Sequence, residues 1–214
     1  WGLVNGLAVS LLRVPPLIAT LGSLGMALGA AQIVSRGLDI RAVPSVMTNQ
    51  IGYRDIAGVP ILVIIAVGVA AVAGLVLWQS GFGLHTKAIG SNPEGALRAG
   101  LPVRRHLIPI YIISGALTGL AGAMSLAEFS TTTIAGHTSD NLTTIAGAVL
   151  GGTSLFGGVA TMFGTVVGIL VPVTLQAGFV IVGVQPFWQT FAVGAVLVVA
   201  VFVDQVRRGA QNRR

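Results

Sequence analysis

The residues that could do chemistry are few in this 214-residue sequence. It holds 6 acidic residues, 12 Lys and Arg, 3 His and no Cys. The lack of Cys excludes disulfides, thiolate metal sites and cysteine catalysis. His85 and His106 flank one loop, while His137 falls in a loop that the topology below places on the opposite side of a membrane, so the three predict no shared metal site. We therefore predict no catalytic residue, no metal site and no cofactor in this chain.

An energy source is also missing from the sequence. The single Lys, Lys87, lies in GLHTKA, which is not the GxxxxGK[ST] pattern of a phosphate-binding loop. The predicted membrane spans carry no Lys, Arg, Asp or Glu in their interiors, although a carrier coupled to protons or cations usually needs such a group. Gln176 is mid-span and follows Pro172, where a kink would aim its amide into a pathway; a helix–helix hydrogen bond explains it equally well.

Composition indicates which elements must position these groups. The sequence is 54% hydrophobic and 8% charged with a mean hydropathy of +0.89, whereas about a quarter of a soluble domain is charged. This favours an all-α, polytopic transmembrane helix bundle with about five to six segments, one of them short or broken. The predicted segments are 17–34, 59–79, 107–127, 142–150, 159–181 and 187–203. The segment 142–150 is too short to cross alone, and with the turn 151–158 it forms a short or broken helix.

Charge in the loops predicts the orientation. The loop 80–106 holds four Lys and Arg against Glu94 alone, and the tail after Val203 holds four Arg against Asp204. Cytoplasmic loops carry such an excess, so we expect this loop and the C-terminus in the cytoplasm and the loop 128–141 outside. The net charge of +6 is thus a topology signal. It does not predict binding to nucleic acid, because the basic residues form no aromatic-interleaved face.

Small residues recur at the spacing that lets membrane helices approach closely. The pairs are Gly25 and Gly29, Gly115 and Gly119, and Gly164 and Gly168. Packing within one subunit is favoured over a dimer contact for each pair.

The loop 80–106 contains the signals of a short helix over 93–99. Asn92 suits the N-cap, Pro93 the first helical position, and Glu94 the positive end of the helix dipole. Gly100 is placed to end the helix in the left-handed conformation, and Pro102 discourages continuation. These signals alone fit either a functional helix or a simple connector between spans.

Three stretches of this chain resemble the permease subunits of bacterial ABC importers, in the branch that takes up ribose, xylose, galactosides and similar sugars. AIGSNPEGALRAGLPV is similar to that family's coupling-loop motif, with matches at Gly90, Asn92, Ala96 and Gly100 and an acid, Glu94, where one is frequent. VPPLIATLGSLGMALGAA at 14–31 and IAGAVLGGTSLFGG at 145–158 are similar to two further family segments. The resemblance covers essentially the whole chain and makes it the C-terminal part of a longer protein, as a single permease domain over 1–214.

The resemblance implies a passive gate driven by other subunits. Cytoplasmic ATP-binding subunits, which would hold ATP and Mg²⁺, would push on the coupling loop 80–106. The other implied partners are a second, identical permease subunit and an extracytoplasmic solute-binding protein, in the lipid bilayer of the bacterial inner membrane. The family often has acids where this chain has Asn141 and Thr143, so these two residues and Gln176 are candidates for the substrate pathway. Gly95 replaces a family Ala, which should weaken the coupling helix by about 1 kcal/mol.

The solute class stays open at this point. A monosaccharide or a similar polar solute is the first hypothesis. Branched-chain amino acids or nucleosides, imported by the same superfamily, are the second. A self-contained facilitator or channel is the alternative from a different class.

Overall fold

The structure is a computed structural model, and it describes residues 1–39, 43–56, 58–132, 137, 140–155 and 157–211. Ten α-helices lie in these ranges, together with one π-helical turn and a two-stranded antiparallel ladder. The helices are α1 (Gly2–Ser10), α2 (Pro16–Ser35), α3 (Ser45–Met47), α4 (Ile61–Gln79), α5 (Gly81–Ser91), α6 (Pro93–Arg98), α7 (Val103–Phe129), α8 (Asp140–Leu150), α9 (Met162–Ile181) and α10 (Pro186–Gln211). The π-helical turn is Thr48–Gly52, and β1 (Asp55–Ile56) pairs with β2 (Val59–Pro60).

The predicted all-α membrane bundle is confirmed. Among the described residues, four helices are long and apolar enough to cross a membrane, namely α2, α4, α7 and α9, and α10 has a shorter apolar part, Phe187–Val199. Helix α8 is short, as predicted: its 11 residues span about 16 Å, roughly half of a hydrocarbon core. Helix α10 differs from the prediction, because it continues beyond Val203 through Gln211.

The chain divides into two compact units. The first comprises Trp1–Val69 and Ala99–Gly136. Within it, α1 packs against α7 through glycine: a Cβ atom at Gly6 would lie 3.1 Å from the Cα of Ile108, and one at Gly115 would lie 2.8 Å from the Cα of Gly2. The hydroxyl of Ser10 donates to the carbonyl of Arg104 at 2.7 Å, which fixes the C-terminal end of α1 on α7.

The second unit comprises Ala70–Arg98 and His137–Arg214. Helix α8 packs on both α9 and α10. The buried side chains here are mostly small, which is how lipid-embedded helices associate closely: Ala146 is fully buried on α8, and Pro172 is fully buried on α9. Pro172 lies inside α9, where it has no N–H to donate to the helical ladder. The prediction of one permease domain over 1–214 stays a prediction.

Candidate functional site

The loop 80–106 contains two consecutive helices, α5 and α6. Sequence reasoning anticipated α6 within one residue but missed α5 altogether. The missed signal is Ser80, whose hydroxyl accepts a hydrogen bond from the backbone N–H of Gly83 at 3.1 Å and so caps the start of α5. A second anchor is Ile89, which is buried near the end of α5.

Asn92 both ends α5 and starts α6. Its backbone is extended, with φ −153° and ψ 92°, because the following Pro93 disfavours helical geometry at the preceding residue. Its N–H closes the last bond of α5 to the carbonyl of Ala88 at 3.1 Å. Its side-chain oxygen then accepts from the N–H of Gly95 at 2.8 Å, which is the N-cap that the sequence predicted.

The far end of α6 also follows the prediction. Gly100 has φ +83°, the left-handed conformation that a glycine adopts without strain. Glu94 lies in the first turn, and its carboxylate is 4.0 Å from the guanidinium of Arg98. Both of these side chains are more than four-fifths exposed, so their ion pair contributes little to stability.

Gly95 bears on the capping as well as on helix propensity. A Cβ atom at this position would lie 3.0 Å from both Cγ and Nδ2 of Asn92. An alanine at position 95 would raise the helix propensity of α6 but would also crowd the side chain of Asn92 that caps the helix. These two effects on the stability of α6 oppose each other.

The two faces of α6 differ sharply. Ala96 is 6% exposed, so this side of α6 is buried. Leu97 is 64% exposed, beside the exposed Glu94 and Arg98. This surface offers an apolar side chain flanked by one acid and one base. Sequence reasoning did not single out Leu97, which the helical period places about 100° around α6 from Ala96.

The candidate pathway residues are partly brought together. The side-chain amide of Gln176 on α9 donates to the hydroxyl of Thr143 on α8 at 3.1 Å. Gln176 thus makes the helix–helix hydrogen bond that was one of its two explanations, and a place in a solute pathway remains a prediction. Asn141 is exposed at the start of α8, one residue after Asp140.

The histidines form no metal cluster in the ranges that the structure covers, where no group of three or more His, Cys, Asp or Glu side chains is arranged to hold an ion. His137 pairs with Asp140 at the beginning of α8, with 2.7 Å between Nδ1 and the carboxylate.

Comparison with known proteins identifies the family. Residues 1–201 match the family described as branched-chain amino acid transport system, permease component. The chain is 36% identical to the L-arabinose ABC transporter permease of Azospirillum brasilense, over 99% of this chain and 62% of that protein. It is 33% identical to the ribose import permease of Bacillus subtilis, over 94% of this chain and 63% of that protein. The galactose/methyl galactoside import permease of Haemophilus influenzae is 30% identical, over 96% of this chain and 63% of that protein.

No solved structure matches this chain. The chain spans a little over three-fifths of the length of these curated relatives. Within that span all three motifs of the sequence analysis fall inside the matched region, so the family resemblance is confirmed. This chain belongs to the permease-component family of branched-chain amino acid transport systems.

Proposed function

We propose that this chain is the transmembrane subunit of an ATP-driven importer for a monosaccharide or a similar polar solute. The observation that carries the proposal is the capped, two-sided helix α6. It is held by Ala96 on one face and offers Leu97 and two charged side chains on the other. A short helix presented in this way suits docking into a groove of another protein. In an importer of this class, the partner at a cytoplasmic loop is the ATP-binding subunit.

The relatives favour a sugar as solute. The names of those compared above specify L-arabinose, ribose, and galactose or methyl galactoside. The family description names branched-chain amino acids, which makes them the second candidate. An amino acid would need groups that receive its carboxylate and its ammonium, and no span interior in the sequence carries a charged residue. Uncharged amides and hydroxyls such as Gln176 and Thr143 suit sugar hydroxyls better.

The proposed assembly has three kinds of protein component: ATP-binding subunits, two permease copies and a binding protein. ATP and Mg²⁺ belong to cytoplasmic ATP-binding subunits, and a second, identical copy of the permease completes the pathway. An extracytoplasmic binding protein delivers the solute. The chain itself lies in the bacterial inner membrane with the loop 80–106 and the C-terminus in the cytoplasm.

Uptake tests the solute class directly. The assembled transporter, in proteoliposomes with ATP supplied to the ATP-binding subunit, should concentrate one of arabinose, ribose or galactose in the presence of its binding protein. It should not concentrate leucine. Leucine uptake in place of sugar uptake would move the assignment to the second candidate, and equilibration of sugar without ATP would indicate a facilitator.

Thiol labelling tests the orientation. The sequence has no Cys, so one introduced cysteine is unique. A cysteine at the exposed Ser91 should resist an impermeant thiol reagent in intact cells, and one at the exposed His137 should react. Labelling of Ser91→Cys from outside would overturn the proposed topology.

A further inference from the structure

The end of α5 lies directly against the turn that follows α8. A Cβ atom at Gly90 would be 2.9 Å from the backbone nitrogen of Gly158, and one at Gly158 would be 2.9 Å from both Cα and Cβ of Ser91. A Cβ atom at Gly157 would run into the carbonyl oxygen of Gly90. Only glycine permits this approach, so the backbone of the turn lies directly against Gly90 and Ser91.

The turn is held in shape by its own hydrogen bonds. Thr153 and Gly152 donate their N–H groups to the carbonyls of Ala148 and Val149, at 3.0 and 2.9 Å, and so end α8. Ser154 donates to the carbonyl of Val159 at 2.9 Å, which closes the loop. These bonds connect the beginning of the turn to α8 and join its two ends.

The turn is also fastened to the two helices behind it. The hydroxyls of Thr153 and Thr165 are 3.0 Å apart, which ties the turn to α9. A Cβ atom at Gly168 would lie 2.6 Å from the Cα of Gly151, so α8 and α9 touch through their backbones. Thr143 lies about two helical turns before Gly151, toward the start of α8. Its hydroxyl accepts a hydrogen bond from the side-chain amide of Gln176 on α9.

We propose that the contact of Gly90 with Gly157 and Gly158 is a positioning contact that transmits displacement of α5 and α6 to α8 and α9. Because Gly90 meets the backbone of the turn, and Gly168 of α9 meets the backbone of Gly147 and Gly151, a shift of α5 carries the turn and both helices together. The Thr143–Gln176 pair moves with them. Gly90, Gly157 and Gly158 are thus positioning residues for transport. This inference rests on the proposed function, since the ATP-binding subunits supply the displacement.

Matched alanine variants separate this contact from general effects of replacing glycine. Gly90 and Gly81 are both helical in α5, but a Cβ atom at Gly81 meets no atom of the described residues within 4 Å. Gly157 and Gly152 both have left-handed backbones, with φ +90° and +83°, yet only a Cβ atom at Gly157 has a neighbour within that distance. Each variant is made in the full-length permease and assembled with its partners.

The measurement is solute transported per ATP hydrolysed, with membrane level and bound ATP-binding subunit recorded beside it. Gly90→Ala and Gly157→Ala should lower this ratio at least about fivefold, the lower end of coupling between distant sites, with the subunit still bound. Gly81→Ala and Gly152→Ala should keep the parental ratio. A role confined to folding would lower membrane level and transport together and leave the ratio unchanged.

Three results would overturn the inference. The first is a parental ratio in both Gly90→Ala and Gly157→Ala. The second is an equal loss in the matched controls. If Gly90→Ala fails to reach the membrane, the comparison of Gly157→Ala with Gly152→Ala decides. The third is the absence of ATP-dependent uptake by the parental protein, which would overturn both the proposed function and the inference. If the parental protein takes up solute normally and the variants are unaffected, only the inference is overturned.

Discussion

Helices α9 and α2 each carry two glycines four residues apart, but the pair on α9 is closely packed and the pair on α2 has no close neighbour in the described part of the chain. On α9, Gly164 presses against the backbone of Gly151, directly after α8, and Gly168 presses against both Gly151 and Gly147 of α8. On α2, Gly25 and Gly29 have no atom of the described residues within 4 Å of an added Cβ. The spacing thus gives a helix the capacity for close approach, whereas the partner that uses it is decided by the rest of the fold. The expectation of packing within one subunit is confirmed for the α9 pair; for the α2 pair it stays a prediction.

A third kind of glycine completes the comparison. Gly100 also has no described atom near an added Cβ, but its φ of +83° disfavours most other residue types, β-branched ones above all. The glycines of this chain thus fall into three cases. Some are required because a neighbouring backbone leaves no room for a Cβ atom, some because their φ is positive, and some for neither reason. Substitutions should distinguish the three cases.

We expect the largest loss of stability where an added Cβ atom would meet a neighbouring backbone. Gly168→Ala places a Cβ atom 2.6 Å from the Cα of Gly151, and two backbones must separate to admit it. Overpacking of this kind costs about 1–3 kcal/mol. Thermal unfolding in detergent should show a clearly lower melting temperature. Gly178→Ala on the same helix is the control, since no described atom lies within 4 Å of its Cβ. Equal melting temperatures for the two variants would show that α8 and α9 can move apart freely.

Backbone conformation should give the next largest effect. Gly100→Val forces a β-branched residue into the left-handed region at a cost of about 1–2 kcal/mol. The end of α6 should shift, so ATP hydrolysis should no longer drive transport, while the amount of permease in the membrane stays normal. Gly100→Asn tolerates the same conformation and should retain coupling. Parental transport by Gly100→Val would reduce the loop to a connector.

Glu94→Arg should be milder than Gly100→Val at the same helix. It removes an interaction with the helix N-terminus worth about 0.3–1 kcal/mol and an exposed ion pair with Arg98. The comparison uses the same uptake and hydrolysis measurements. A greater loss for Glu94→Arg would mean that the carboxylate contacts the ATP-binding subunit directly.

Gly25, which has neither a close neighbour among the described residues nor a positive φ, should tolerate replacement. Gly25→Ala should alter the free energy of unfolding by no more than about 1 kcal/mol, the difference in helix propensity. The same detergent melting assay measures it. A loss as large as that of Gly168→Ala would reveal that this face of α2 is covered in the assembled protein by another chain or by a segment outside the described residues.

The smallest effect concerns the polar pair between α8 and α9. Thr143→Val and Gln176→Met each remove the 3.1 Å hydrogen bond, which should be worth about 0.6 kcal/mol in a membrane. A double-mutant cycle on the melting free energies should return that coupling. If the pair also lines the solute pathway, the affinity for solute should change in both variants; unchanged affinity would leave it a packing contact.

The sequence was informative where local chemistry decides the structure. Asn92, Pro93 and Gly100 act through their own backbone and nearest neighbours, so the start and end of α6 could be predicted. The contact between Gly90 and Gly158 could not, because it joins residues 68 positions apart and depends on how α8 and α9 fold back. Helix α5 was missed because its glycines and polar residues lower its helix propensity, and burial of Ile89 and Gly83 outweighs that. The shortness of α8 was predictable from its apolar length alone.

Crosslinking from the two faces of α6 tests the central claim most directly. A photoreactive side chain at Leu97, which is 64% exposed, should crosslink to an ATP-binding subunit in the assembled transporter. The same group at Ala96, which is 6% exposed, should not, and a variant that misfolds there would show as loss from the membrane. A product at Leu97 of the mass of permease plus ATP-binding subunit is the result we predict. No such product from Leu97, in a transporter that still concentrates its solute, would contradict docking of α6 on the ATP-binding subunit.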